Sequence, residues 1–265
     1  MIGVDSPTAL DLRFPLGPIP VRVGIMFWVI TGIFGFVNVQ FLREGNLFIN
    51  VLIWVMCVFV SILVHELGHA LAYRAFGSWA AISLHGFGGY AISPEPPRAA
   101  WQRMLVALAG PLAGFVLFGL TFAIAFAAAG DALHFYVRNA IQFMLWINLF
   151  WTVFNLLPIP PLDGGNICRE LLSSLRVRAA GEIAAGIGFV LALCLAIYGA
   201  LLYAGLLPAA VADIIPGWLR PGTIMTIWFA LFAVDNFQRI QAARRHRQYE
   251  PPDDYDDDTP PWRRR

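Results

Sequence analysis

His65-Glu66-Leu67-Gly68-His69 decides how this chain is read, because it sets two imidazoles and a carboxylate inside an apolar run. On a helix, residues i and i+4 share a face one turn apart, so His65 and His69 can present nitrogens to one ion. Glu66 lies one residue round from His65, beside that ion, where its carboxylate could take a proton from water. Zinc suits the pair, since neutral imidazole is a common zinc ligand and a catalytic zinc keeps one position open. The bland alternative is two helix histidines satisfied by neighbouring carbonyls. Against it stands the run Leu47 to Val64, where little besides Asn50 and Ser61 is polar. An ionisable group at a bilayer centre costs roughly 2.5–3.5 kcal/mol, so an idle cluster there would be selected against.

The composition sets the class. The 265 residues are 58% hydrophobic and 13% charged, whereas soluble domains carry about 25% charged residues. This predicts an all-α polytopic membrane protein. A formal net charge of +1, with arginines scattered between apolar runs, argues against a nucleic-acid partner. Cys57, Cys168 and Cys194 lack metal-ligand spacing and imply no disulfide framework. No small-residue cleavage site directly follows the first apolar run, which reads as a retained span.

Six transmembrane helices are expected, over about 21–42, 47–76, 101–129, 135–157, 183–207 and 223–237, each set against a core of roughly 30 Å. The expected organisation is an N-terminal interfacial segment over 1–20, a membrane domain over 21–238 and a disordered cytoplasmic tail over 239–265. Pro15, Pro18 and Pro20 bar a regular helix from the first segment, which should lie along the membrane surface. Between the second and third spans, Ala81 to Leu84 and Gly86 to Tyr90 read as a short β-hairpin able to pair with an extended peptide. His85, within it, reads as a solvated loop histidine, and His134 sits at a water boundary.

The fourth span ends in Asn155-Leu156-Leu157-Pro158-Ile159-Pro160-Pro161-Leu162-Asp163-Gly164-Gly165. Its prolines cannot continue a helix, and irregular backbone at membrane depth is tolerated only when buried in protein or lining a wet cavity. Asp163 is therefore a candidate third ligand; the alternative is a cap on a helix over about 165–175. The unfinished two-histidine site favours the ligand. Arginines gather on one side of the six-span arrangement, which places both termini, and the histidine end of the second span, toward the cytoplasm.

Taken together, His65-Glu66-Leu67-Gly68-His69, Ala109-Gly110-Pro111, and Asn155, Pro158, Asp163 and Gly164 in order along the membrane core resemble the site-2 protease family of intramembrane zinc metalloproteases. The resemblance implies a compact member without PDZ or CBS domains. It implies one Zn2+ per chain on His65, His69 and Asp163, with Glu66 as catalytic acid/base and Asn155 helping to hold the substrate or transition state. Gly88 and Gly89 resemble glycines of a membrane-associated hairpin near the substrate path. Pro18 to Val23 is similar to the lead-in to the first span in compact members. The implied function is hydrolysis of membrane-protein substrates within the bilayer, that is, regulated intramembrane proteolysis. Two other readings use the same ligands: a peptidase of the same fold acting on short peptides or signal-peptide remnants, and a zinc transporter or scaffold. Transport would need ligands in several spans, and His85, His134 and His246 all fall in expected loops or the tail.

Overall fold

The structure, a computed structural model, describes residues 8–40, 42, 44–86, 88–128, 133–208 and 222–249, with the side chains of 246–249 excepted. The chain divides into two compact units, Met1–Val177 and Arg178–Arg265. The first contains β1 (Leu12–Leu16), β2 (Ile19–Val23), α1 (Ile25–Val39), α2 (Leu47–Ala75), β3 (Ala81–His85), β4 (Gly88–Ile92), α3 (Ala100–Ala127), α4 (Phe135–Asn155) and α5 (Asp163–Ser174). The second contains α6 (Ala180–Tyr203) and α7 (Thr223–Tyr249), which pack on each other.

The strands form one sheet in the order β1-β2-β3-β4, with both hairpins antiparallel and β2 parallel to β3. The expected hairpin after the second long helix is β3–β4. The first hairpin was not expected. Proline excludes helix from residues 12–23, but it does not exclude strand: Pro15 and Pro20 face each other across β1–β2, and Gly17, at φ +58°, makes the turn. Ile19, Val21 and Val23 are buried while Pro20 is exposed, the period-two alternation of a half-buried strand. Each buried branched side chain contributes roughly 1.5–3 kcal/mol. With Phe27, Ile62, Ala70, Ile82 and Leu84 they form a core between the sheet, α1 and α2.

This strand also shortens the first expected span. Residues 21–23 belong to β2, so α1 keeps 15 residues, about 22 Å at the helical rise and less than a bilayer core. Among the described residues, three helices are long and apolar enough to cross a membrane: α2, α3 and α6. The chain is thus mostly helical with a small sheet, and the count of six crossings is not reached on length and composition. In α4, Arg138, Asn139, Gln142 and Asn148 dilute the apolar character. The last helix runs on through the arginine run to Tyr249, beyond the expected end at 237. Residues 250–265 of the expected disordered tail lie outside the described residues, as do Arg43, Asp131 and Arg220.

Two features place the site. At 29 residues α2 exceeds a crossing, and it starts on Asn46, whose side-chain oxygen accepts from the Phe48 and Ile49 N–H groups. Against it packs α3, through Gly68 and Gly110. A Cβ on Gly68 would strike the Ala109 carbonyl, and one on Gly110 would strike the His69 ring, so the close approach requires both glycines. Pro111 lies buried inside α3 without ending it.

Candidate metal centre

His65 and His69 project from one face of α2, and Asp163 opens α5. Being the first helical residue, Asp163 does not cap α5; Leu162 takes that place without a side-chain hydrogen bond. The carboxylate turns instead to the histidines. Asp163 Oδ2 lies 3.0 Å from His65 Nε2 and 3.3 Å from His69 Nε2, and the two Nε2 atoms are 3.2 Å apart. Four ligands at about 2.0–2.1 Å in a tetrahedron sit roughly 3.3 Å from one another. The triangle therefore has the size of one tetrahedral face around a zinc-like ion, and among the described residues it is the metal-capable group found.

The second nitrogen of His69 supports this fit. Its Nδ1 is 2.7 Å from the Val106 carbonyl on α3, which accepts and so must face an N–H. That fixes the tautomer and leaves the Nε2 lone pair directed at the triangle. Among the described residues, His65 Nδ1 is buried and has no partner.

Glu66 is 4% exposed and sits on the side of α2 toward the sheet. The Ala91 N–H of β4 donates to its carboxylate. Gly89 stands against it: an added Cβ there would come within 2.7 Å of Glu66 Cγ and 2.9 Å of Oε1. The hairpin thus approaches the carboxylate only because residue 89 lacks a side chain. A cavity of about 360 Å³ opens on the triangle, with Glu66, Gly89, Tyr90 and Ala91 on its wall and Arg103 and Glu170 beyond.

Other expected site residues are placed differently. Asn155, at the end of α4, is buried, donates to the Trp151 carbonyl one turn back at 2.9 Å, and is not among the residues lining the cavity. Gly88 has φ +128° and backs on Trp151, one residue removed from the wall that Gly89 forms. His85 ends β3 with its ring 5.4 Å from Tyr90, outside the lining. His134 caps α4, its Nδ1 accepting from the Tyr136 N–H at 3.4 Å.

Two parts of the site escaped the sequence. The Val106 carbonyl is a backbone group, so no residue type marks it. Glu170 on α5 is buried between Arg103 and Arg169, with Arg103 Nη2 at 2.6 Å and Arg169 Nη2 at 2.9 Å. Burial pushes the Glu170 carboxyl up, and the two guanidiniums more than offset it, holding it below its ordinary range. Arg103 reads in the sequence only as a charge that sets membrane orientation.

Comparison with known proteins gives the family of the chain. A relative from Synechocystis, named as a candidate zinc metalloprotease, is 38% identical over 136 residues, covering 49% of this chain and 34% of its own length. Zinc metalloprotease MJ0392 of Methanocaldococcus jannaschii is 33% identical over 146 residues, 54% of this chain and 42% of its own. The chain thus spans less than half the length of either relative. The solved structure of a site-2 protease from Methanocaldococcus jannaschii matches with a TM-score of 0.56 and 23% identity, over 87% of this chain and 95% of that one, a likeness of fold. The model of Peptidase family M50 matches residues 53–133 and 122–198, together more than half of the chain, a stretch of this chain that includes His65, His69 and Asp163. The chain belongs to Peptidase family M50.

Proposed function

We propose that this chain is an intramembrane zinc metalloprotease that hydrolyses peptide bonds within or near the transmembrane segments of membrane-protein substrates. The observation that carries the reading is the donor triangle of His65, His69 and Asp163 with the Glu66 carboxylate beside it, all facing one cavity. One zinc ion per chain, held by those three residues, would supply a Lewis acid that polarises a scissile carbonyl and brings the pKa of water toward neutrality. Glu66 takes the proton from the attacking water as the C–O bond forms, and returns it to the amine as the C–N bond breaks. The Ala91 N–H and the bare face of Gly89 hold that carboxylate in place. Asn155 helps to hold the substrate or transition state and Gly88 stands with Gly89 near the substrate path, although neither Asn155 nor Gly88 lines the cavity itself.

A helical substrate must unwind before cleavage, since a helix keeps its carbonyls bonded and covered. Strand β4 ends the sheet order, so its outer edge offers backbone groups to an extended segment. We assign residues 21–238 to a membrane domain of six crossings, in which α1, shorter than a bilayer core, requires local thinning of the bilayer, and α4 and α7 join the three longer apolar helices. Both termini and the triangle lie toward the cytoplasm, the reading supported by the arginine distribution.

The test is cleavage of a fluorescently labelled single-span peptide with a Gly-Pro step in its span, reconstituted with the full chain in lipid nanodiscs. The expected result is cleavage that is lost with Glu66→Gln and, reversibly, with a zinc chelator. Cleavage by Glu66→Gln at the rate of the unaltered chain, or cleavage indifferent to the chelator, would overturn the reading.

A further inference from the structure

The ligand triangle joins two segments almost a hundred residues apart, and its two sides are secured very differently. His65 and His69 are fixed relative to each other by the hydrogen-bonded ladder of α2. Asp163 opens a short helix that follows a proline-rich stretch, and the two glycines after it are buried against the backbone of Leu156, Leu157, Ile159 and Pro160, where an added Cβ would clash. That packing holds the first turn of α5, and the helix is held again from outside the loop, farther along. Glu170 lies seven residues after Asp163, two helical turns on, and so on the same face. It meets Arg103 of α3 through two contacts, Nη2 at 2.6 Å and Nε at 2.9 Å.

Arg103 is itself anchored. Its Nη1 donates to the carbonyls of Pro97 and Arg98, at the entry to α3. It also stands one turn before Val106, whose carbonyl orients His69. The ion pair therefore connects the turn of α3 that aims one ligand to the helix that carries another. Arg169 covers the second oxygen of Glu170, with Nη2 at 2.9 Å and Nε at 3.2 Å, so both lone-pair sides of the buried carboxylate are satisfied. Each guanidinium sets two nitrogens on one oxygen, Arg103 on Oε2 and Arg169 on Oε1, and such charge-assisted bonds give direction as well as attraction. A buried carboxylate held this way resists rotation of α5 in a manner that apolar packing does not.

We infer that Glu170, clamped by Arg103, is a positioning residue for the metal site: it sets the distance of Asp163 from His65 and His69 and thereby tunes how tightly the ion is held. The inference rests on the zinc reading proposed above. Neither residue touches the ion, and neither takes part in bond making or breaking.

The experiment measures the zinc dissociation constant of the full chain in detergent micelles by competition with a chromophoric chelator, alongside thermal unfolding of the metal-free protein. It compares the unaltered chain with Glu170→Ala, Arg103→Gln, Arg103→Lys and the double variant Arg103→Gln/Glu170→Ala. Glu170→Ala and Arg103→Gln are each expected to weaken zinc binding about 10- to 100-fold, the range for lost orienting partners. The double variant should be no worse than the weaker single one, since both remove one link, and Arg103→Lys should keep part of the affinity. If Glu170→Ala does not fold, Arg103→Gln carries the test from the other side.

Zinc affinity within about twofold of the unaltered chain in both single variants would overturn the clamp, even if unfolding of the metal-free protein shifts. A double variant that loses the product of the two single losses would overturn it too. An unaltered chain that takes up no zinc would sink the site reading and the clamp together, whereas zinc uptake that depends on Asp163 but not on Glu170 or Arg103 would sink the clamp alone.

Discussion

The two halves of the ligand triangle teach different lessons about how a chain stores a site. Helix α2 holds His65 and His69 by local geometry: their spacing, the backbone ladder and one carbonyl from α3 bring the Nε2 atoms to 3.2 Å. Helix α5 holds Asp163 by tertiary contacts, since the segment before it is irregular and the carboxylate reaches the histidines across 98 and 94 positions of sequence. A site half written in one helix and half assembled from afar should fail in two distinguishable ways.

The sharpest separation lies within α2 itself. Glu66→Gln keeps both imidazoles and the local packing but removes the base, so cleavage of the labelled peptide should fall about 10²- to 10⁴-fold while zinc content is kept. Loss of zinc in that variant would mean that Glu66 binds the ion and that the assignment of roles in α2 is wrong.

The contact with α3 is next. Gly110→Ala places a Cβ on the His69 ring, which must swing away from the Val106 carbonyl or push the helices apart. Zinc affinity should drop roughly 10- to 100-fold, measured by chelator competition. Unchanged affinity would show that the local half tolerates displacement of α3.

Gly89→Ala probes the same helix from the sheet side. Its Cβ would crowd Glu66 rather than a ligand, so turnover should fall roughly tenfold to a hundredfold with zinc content unaltered. A matching loss of zinc would tie the hairpin to the ligands and blur the contrast between base and triangle.

The smallest expected effect lies away from the site. Asn148 on α4 donates to Ser61 Oγ on α2 at 3.0 Å, one turn before His65. Asn148→Ala should cost about 0.5–1.7 kcal/mol of unfolding free energy in detergent, and zinc affinity should move by less than about twofold. A large loss of zinc would show that α2 is not the self-sufficient half.

These contrasts also explain what could be read in advance. The i, i+4 histidine pair states its own geometry, and the long apolar runs of α2, α3 and α6 state theirs. Asp163 was legible only because prolines broke the helix before it and the histidines lacked a third partner. The first hairpin is hard to read because its prolines exclude helix without marking strand, although Ile19, Val21 and Val23 alternate. The Arg103–Glu170 pair had no periodic signal, since its members lie 67 positions apart and each is ordinary for its helix. The polar residues of α4 belong to the same class: Asn139 and Asn148 are buried against Asn50 and Ser61, a pairing that becomes visible only with both helices in place.

The most direct test of the account is zinc content per chain in purified, detergent-solubilised protein, compared among the unaltered chain, His65→Ala and Asp163→Ala. The account predicts one zinc per unaltered chain and marked loss in both variants, because ligands from α2 and α5 close one site. Full retention of zinc by Asp163→Ala, or a carefully handled unaltered chain that holds none, would contradict it.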